Sequence, residues 1–258
     1  MGIIDTHCHL DDERLFSECE EIVSTLSNHN IDKVITVGAN YKTSLSCFDI
    51  AQKYSNVYCT LGIHPHDAKE ASAEMYEKFE ELASNKKVVG IGEIGLDYFY
   101  NLSEPEIQRR VFVEQLELAD NLKLPVALHI REALGESKEI LFQNKHLLNN
   151  GLLYHCYSGT PEFAKEISKL DPYYSFGGVL TFKNAQKAVD SIKAIPIDRI
   201  VFETDAPYLA PVPNRGKTNY PKYINYVVDK ASEILGMDRD ELINITSKNA
   251  SELFKKLK

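Results

Sequence analysis

The stretch VVGIGEIGLDYFYNLSEPEIQRRVFVEQLELADNLKLPVALHI, residues 88–130, contains two short apolar runs separated by one amphipathic segment. The runs Val88–Ile91 and Pro125–His129 are typical of strands that are buried on both faces of a parallel sheet. Between them, Glu104–Lys123 places apolar residues at helical spacing among charged ones. Its start, SEPE at 103–106, predicts Ser103 as the N-cap. The stretch therefore predicts a strand–helix–strand unit.

The same alternation continues along the whole chain. The other apolar runs are Ile3-Ile4, Lys33–Val37, Val57–Leu61, Leu152–His155, Tyr173–Phe176 and Ile200–Glu203. Further helical patterns lie at Ser17–Asn28, Ala73–Ser84, Pro161–Leu170 and, in two pieces broken at Gly236, Lys222–Lys258. Eight strands alternating with about eight helices predict a protein of the α/β class, a single-domain (β/α)8 TIM barrel over residues 1–258. A doubly wound open sheet is the alternative, because periodicity alone does not show closure.

The composition is that of an ordinary globular protein, with 43% hydrophobic and 26% charged residues and a net charge of −9. This charge argues against a passive nucleic-acid coat, whose surface is usually basic. A nuclease that binds DNA in one pocket, with metal ions neutralising phosphate, stays open. The five cysteines form no CxxC pair and are predicted to be reduced. Because no signal peptide or long apolar run is present, we expect a cytoplasmic protein without membrane association.

Side chains that bind metals recur at the ends of five predicted strands. They are His7 and His9, Glu93, His129, His155, and Asp205. Taken singly, each has a simpler explanation, such as a salt bridge or a polar residue that leaves a strand. In a barrel, however, all five strand ends converge on the carboxyl-terminal mouth. Six nitrogen and oxygen donors without a thiolate suit Zn, Mn or Mg, and they predict two divalent ions rather than one.

Gly90, Gly92 and Gly95 match the pattern GxGxxG, which is typical of dinucleotide-binding turns. That motif opens a helix at its last glycine, whereas residues 96–101 intervene here before the predicted helix. We therefore reject a dinucleotide site. Glu93 inside the same run is more informative, because a carboxylate among apolar neighbours is costly unless it is paired or bound to metal.

Seven motifs in order give the chain a family resemblance. They are DTHCHL at 5–10, GIHPH at 62–66, GEIGLDY at 92–98, ALHIR at 127–131, HCYSG at 155–159, ETDAPYLAP at 203–211 and RGKTNYP at 215–221. The sequence resembles the TatD family of metal-dependent deoxyribonucleases, within the wider amidohydrolase-like group. The resemblance implies a barrel with one ion on the residues that match His7, His9, Glu93 and Asp205. It implies a second ion on Glu93, His129 and His155, so that Glu93 bridges the two.

The resemblance also implies hydrolysis of DNA phosphodiester bonds from a 3′ end by a metal-activated water. We expect Asp205 to act as general base and Glu93 to complete the catalytic pair. The expected partner is single-stranded DNA or a DNA 3′ end, with no obligate protein partner. One alternative is an esterase or deacylase on the same two ions, such as a D-aminoacyl-tRNA deacylase. The other is a non-catalytic metal-binding or nucleic-acid-binding module, against which the complete ligand set argues.

Two further residues are predicted to bind substrate. His64 follows the third strand, and Arg131 lies two residues beyond His129, on the same face of the strand. A guanidinium fork matches phosphate oxygens bidentately, and an imidazole can donate to a phosphate oxygen or leaving group. The alternatives are a salt bridge from Arg131 to Glu132 or Glu136, and a simple turn in the GIHPH segment.

Overall fold

The strands of the protein form one parallel sheet in a computed structural model, which describes residues 1–257. The strands are β1 (Ile3–Cys8), β2 (Ile31–Val37), β3 (Val57–Leu61), β4 (Val88–Asp97), β5 (Val126–Arg131), β6 (Leu152–Tyr154), β7 (Tyr173–Phe176) and β8 (Ile200–Phe202). Each strand pairs in parallel with the next along the chain, from β1 through to β8.

The first and last strands meet at the carboxyl-terminal end of the sheet. Cys8 forms a parallel bridge with Ala206, just beyond β8. The backbone N–H of Asp205 donates to the carbonyl of His7 at 2.9 Å, and that of His9 donates to Ala206 at 2.7 Å. The predicted (β/α)8 barrel is therefore confirmed, and the alternative of an open doubly wound sheet is wrong.

Helices lie between the strands and cover the outside of the barrel. They are α1 (Glu13–Phe16), α2 (Cys19–Thr25), α3 (Tyr41–Lys53), α4 (Ala73–Ala83), α5 (Pro105–Leu122), α6 (Leu134–Gln143), α7 (Pro161–Ile167), α8 (Gln186–Ala194), α9 (Ile224–Leu235) and α10 (Arg239–Leu253). Gly236, where the last two predicted helices separate, caps α9 in the left-handed conformation with φ of 63°. Among residues 1–257, no helix combines the length and apolar character needed to cross a membrane.

Strand β4 differs most from its prediction, because it continues beyond Ile91 to Asp97 with all ten residues buried. Its glycines allow close approach to β5: a Cβ at Gly95 would lie 2.1 Å from the carbonyl oxygen of His129. The glycines of the GxGxxG pattern therefore lie inside a strand and do not open a helix, which confirms that the dinucleotide motif was rightly rejected.

The N-cap predicted for the long central helix is wrong by one residue. Helix α5 has Glu104 as its N-cap. The hydroxyl of Ser103 instead donates to the carbonyl of His66 at 2.8 Å and accepts from the backbone N–H of Lys69 at 3.1 Å. Ser103 therefore ties the loop after β4 to the loop after β3 and makes no cap.

The end of the chain closes the amino-terminal end of the barrel. Side chains from the inner faces of the strands form one apolar cluster with Ala250, Leu253, Phe254 and Leu257, which we call the barrel floor. Phe254 is fully buried. Lys33, near the start of β2, donates to the carbonyl of Leu257 at 2.6 Å. The floor leaves the opposite, carboxyl-terminal mouth as the open end of the barrel.

Candidate metal centre

The six predicted metal ligands lie together at the carboxyl-terminal mouth, and we call them the donor cluster. They are His7 and His9 at the end of β1, Glu93 in β4, His129 in β5, His155 directly after β6, and Asp205 after β8. Two groups of three that share His7 lie within the cluster, and a third group joins Glu93 and His129 with His64; within each group the ligand atoms lie within 4.8 Å of one another. The barrel geometry thus assembles residues that are up to 198 positions apart in the sequence.

His7, His9 and Asp205 form one side of the donor cluster. The Nε2 atoms of the two histidines are 3.2 Å apart. Asp205 Oδ1 lies 3.5 Å from His9 Nε2 and 3.8 Å from His7 Nε2. His9 Nδ1 donates to the carbonyl of Val37 at 3.2 Å, so Nε2 is the ring nitrogen that faces His7 and Asp205.

Glu93 forms the centre of the donor cluster and presents its two oxygens to different imidazoles. Its Oε2 lies 3.6 Å from Nε2 of His7. Its Oε1 lies 2.7 Å from Nδ1 of His129 and 3.6 Å from Nε2 of His155. One carboxylate therefore faces both sides of the cluster, and its side chain is only 6% exposed.

His64, predicted to bind substrate, lies closer to the donor cluster than expected. It is buried, its Nε2 lies 3.8 Å from Glu93 Oε1, and its ring centre is 4.2 Å from that of His129. It joins Glu93 and His129 in one of the groups whose geometry suits a metal ion. The position of His64 is thus compatible with a metal ligand as well as with a substrate contact.

Arg131 lies at the rim of the mouth with an exposed side chain. Its guanidinium carbon is 4.1 Å from the ring centre of Phe99 and 4.8 Å from that of Tyr100. Within the described part of the chain, Arg131 forms no salt bridge to Glu132 or Glu136. The alternative explanation of Arg131 as one half of a loop-holding salt bridge is therefore wrong.

Two buried carboxylates that the sequence analysis did not single out hold imidazoles of the donor cluster. Glu203 Oε2 accepts from Nδ1 of His155 at 2.9 Å. Asp97 Oδ2 accepts from Nε2 of His129 at 3.0 Å. Both carboxylates are fully buried. Outer carboxylates of this kind fix the tautomer and the ring orientation of histidines that bind metals.

A signal for Asp97 and Glu203 was present in the sequence. Glu203 ends the run Ile200–Glu203, and Asp97 follows the apolar residues Ile94 and Leu96 beyond the run Val88–Ile91; a carboxylate in such surroundings needs a partner. Glu203 could therefore be found at the end of its run, whereas Asp97 could be found only by following the strand beyond Ile91.

The buried groups shift one another's pKa values. Burial opposes ionisation of Glu93, but the surrounding imidazoles, His64 first, hold its pKa well below the usual range. Burial lowers the pKa of His7 well below its usual value, and His155 adds to the effect. Burial also opposes protonation of His155, but the carboxylate of Glu203 outweighs it and raises the pKa to about 10. An ionised Glu93 beside a neutral His7 presents both groups in the form that binds metal ions.

Two buried glutamines of α5 hold the loops that carry His64 and Asp97. Gln115 accepts from the N–H of Ile63 at 2.8 Å and donates to its carbonyl at 2.9 Å. Gln108 pairs in the same way with Asp97, at 2.8 and 3.2 Å. The two glutamines are seven residues apart, close to two helical turns, so they share one face of α5. Each therefore satisfies both backbone polar groups of one loop residue.

The chemistry of the donor cluster fits a divalent metal ion. The cluster supplies imidazole nitrogens and carboxylate oxygens without a thiolate, a set that suits borderline and hard ions. Val37, Asp97 and Glu203 each accept a hydrogen bond from one ring nitrogen of His9, His129 and His155, so the other nitrogen of each ring faces the centre.

Comparison with known protein families also indicates a protein that uses metal ions. The family model for TatD related DNase matches residues 4–255. The chain belongs to this family. The match runs through every residue of the donor cluster, and the resemblance read from the seven motifs is confirmed.

Relatives of this TatD-family chain match it over nearly their whole length. YabD of Bacillus subtilis (strain 168) is 37% identical over 253 residues, with 98% of this chain and 99% of that protein covered. YcfH of Escherichia coli (strain K12) is 32% identical over 257 residues, with coverage of 98% and 96%. Both are named as uncharacterized metal-dependent hydrolases. The crystal structure of YJJV, a TatD homolog from Escherichia coli K12, is 29% identical, with a TM-score of 0.91 and 98% of each chain covered. This TatD-family chain is a metal-dependent hydrolase.

Proposed function

We propose that this hydrolase cleaves phosphodiester bonds of DNA, removing nucleotides from a 3′ end. The observation that carries the proposal is the position of Glu93, whose two oxygens face His7 on one side and His129 on the other. A carboxylate shared in this way can bridge a pair of metal ions, and paired ions are typical of phosphodiester hydrolysis. The family model, whose description names a DNase, supports the same reaction.

Two divalent ions, of Mg, Mn or Zn, would be held by the donor cluster. His7, His9, Glu93 and Asp205 would hold one ion. Glu93, His129 and His155 would hold the other. Ions at these positions supply Lewis acidity, which polarises a phosphoryl oxygen and makes water more acidic.

The protein's own side chains orient the reaction. Asp205, with 14% of its side chain exposed, accepts the proton of the attacking water as general base. Glu93 stays ionised between the imidazoles and fixes their spacing. Arg131, at the rim, positions the phosphate through its planar fork. His64 donates to a phosphate oxygen or to the leaving group.

The test is the release of nucleotides from single-stranded DNA labelled at either end, with EDTA or with added Mg, Mn or Zn. We expect metal-dependent release that begins at the 3′ end. Asp205→Asn should lose this activity, whereas Asp190→Asn, at an exposed position on α8, should keep it. Cleavage that needs no metal, or none with any ion, contradicts the proposal. Turnover of simple esters or of D-aminoacyl-tRNA without turnover of DNA replaces it with the deacylase alternative.

A further inference from the structure

Exposed apolar side chains concentrate at the mouth of the barrel. Of ten large hydrophobic side chains that are exposed among residues 1–257, six lie in the loops that follow β4 and β8. These six are Phe99, Tyr100, Leu102, Tyr208, Leu209 and Val212. A soluble surface that keeps such side chains together usually marks a binding site. The loop after β4 is the more aromatic of the two, with Phe99 56% and Tyr100 53% exposed.

The loop after β4 is held in one position although its side chains are exposed. Asp97 Oδ1 accepts from the backbone N–H groups of Phe99, at 3.0 Å, and Tyr100, at 2.9 Å. The same carboxyl group holds His129 through its other oxygen. The aromatic loop and the donor cluster are therefore fixed to one buried side chain, which sets the distance between them.

A continuous series of ring contacts leads from the exposed loop to the donor cluster. The rings of Phe99 and Tyr100 meet edge to face at 4.9 Å. Tyr100 contacts His66 at 5.4 Å, and the His66 ring lies 6.2 Å from that of His129. Since consecutive nucleotides are about 3.4 Å apart along a stacked strand, the loop lies within a few nucleotides of the centre.

Arg131 lies beside both rings at this point. Its guanidinium carbon is 4.1 Å from the ring centre of Phe99 and 4.8 Å from that of Tyr100, and within residues 1–257 no salt bridge neutralises it. Aromatic rings and guanidinium planes are the two protein surfaces on which unpaired bases stack. With a net charge of −9, the chain has little general attraction for a polyanion, so stacking would supply affinity that a basic groove supplies elsewhere.

We propose that Phe99 and Tyr100, flanked by Arg131, form a stacking subsite for a base near the scissile phosphate of a single-stranded substrate. This proposal rests on the proposed DNA cleavage and specifies how the protein binds the strand. It makes recognition depend on a base at one position rather than on the phosphates alone. A base in a duplex cannot offer its face to the rings, so the strand must be unpaired there.

The test uses an oligothymidylate series in which one base at a time, counted from the 3′ end, is replaced by an abasic spacer. Binding is measured by fluorescence anisotropy in EDTA, and cleavage is measured as kcat/KM with Mn. For the wild-type protein, one spacer position should weaken binding roughly tenfold to a hundredfold, the equivalent of one stacked base. The double variant Phe99→Ala/Tyr100→Ala should bind the intact strand as weakly as the wild-type protein binds that abasic strand. The abasic spacer should not weaken the binding of the double variant any further.

Matched variants separate stacking from folding. Phe142→Ala removes an exposed aromatic ring of α6 and should bind and cleave as the wild type does. Phe99→Tyr/Tyr100→Phe keeps both rings, so the abasic spacer should weaken its binding as it does for the wild-type protein. Phe99→Leu/Tyr100→Leu keeps apolar volume without a π face and should not.

The outcomes distinguish this subsite from the proposed function. If the wild-type protein cleaves every abasic strand as fast as the intact one, the subsite is wrong and the DNase proposal stands. If no ion supports cleavage but binding in EDTA still depends on one base and on the two rings, the subsite stands and the DNase proposal is wrong. The subsite is also wrong if the double variant, compared with the wild-type protein on the same strand, loses as much binding and cleavage on the abasic strand as on the intact strand.

Discussion

Replacing Gln115 by Met should destabilise the protein more than its position on an outer helix suggests. The methionine has nearly the same length and leaves no large cavity, but it removes both hydrogen bonds to Ile63. Gln115 is fully buried and Ile63 is only 2% exposed, so water does not readily replace the lost partners. Each buried backbone group left unpaired costs about 1–3 kcal/mol, which gives about 2–6 kcal/mol for the pair.

The assay is urea unfolding followed by circular dichroism, on protein freed of metal by EDTA so that ion binding does not add to the stability. Gln143→Met, at the exposed end of α6, is the control and should change the free energy of unfolding by less than about 0.5 kcal/mol. If the two variants have the same free energy of unfolding, then the buried glutamine does not support the loop, and the argument from unpaired backbone groups is refuted.

Three further outcomes follow from the site and the barrel floor. Glu93→Ala should reduce bound metal at both positions, whereas His155→Ala should mainly affect one, as measured by elemental analysis of the purified variants. Arg131→Ala should keep its fold and metal content but lose more than about tenfold in DNA cleavage, since truncating a contact to a charged group costs about 2–5 kcal/mol. Phe254→Ala should lower the free energy of unfolding by about 3–5 kcal/mol, because Phe254 is fully buried, and urea titration measures this loss.

Each of these outcomes can fail in a recognisable way. Identical metal loss in Glu93→Ala and His155→Ala contradicts the shared carboxylate. Normal DNA cleavage by Arg131→Ala means that the arginine has a structural role in its aromatic loop. A fall of less than about 1 kcal/mol for Phe254→Ala would mean that the floor repacks without it.

The barrel and the donor cluster were predictable because both follow from periodic features of the sequence. Buried parallel strands read as continuous apolar runs, and the residue that follows each run lies at the mouth whatever the loops do. The apolar run Val88–Ile91 covers only the first part of β4, and the strand continues to Asp97 because Gly92 and Gly95 allow close pairing with β5.

Contacts between loops were not predictable from such patterns. Ser103 stands in a favourable position to cap α5, yet its hydroxyl bonds to the loop that carries His66, and only the three-dimensional path of that loop shows this. The contact of Arg131 with Phe99 is of the same kind, since Arg131 ends β5 and Phe99 lies in the loop after the adjacent strand β4. The carboxylates Asp97 and Glu203, which orient imidazoles, are intermediate. Their burial could be predicted from the apolar residues around them, but the histidines with which they pair could not.

The barrel floor also bears on how the protein is made. Ala250, Leu253, Phe254 and Leu257 follow all eight strands in the chain and are synthesised after them, yet they complete a cluster that includes Ile4 of the first strand. Until these residues have emerged, the inner faces of the strands have no floor, and β1 lacks one of its two neighbours until β8 has emerged. Contacts between such distant parts of a chain form slowly and leave apolar surface open to aggregation meanwhile. The nascent chain therefore keeps the inner faces of its strands exposed until the residues of the barrel floor have been made.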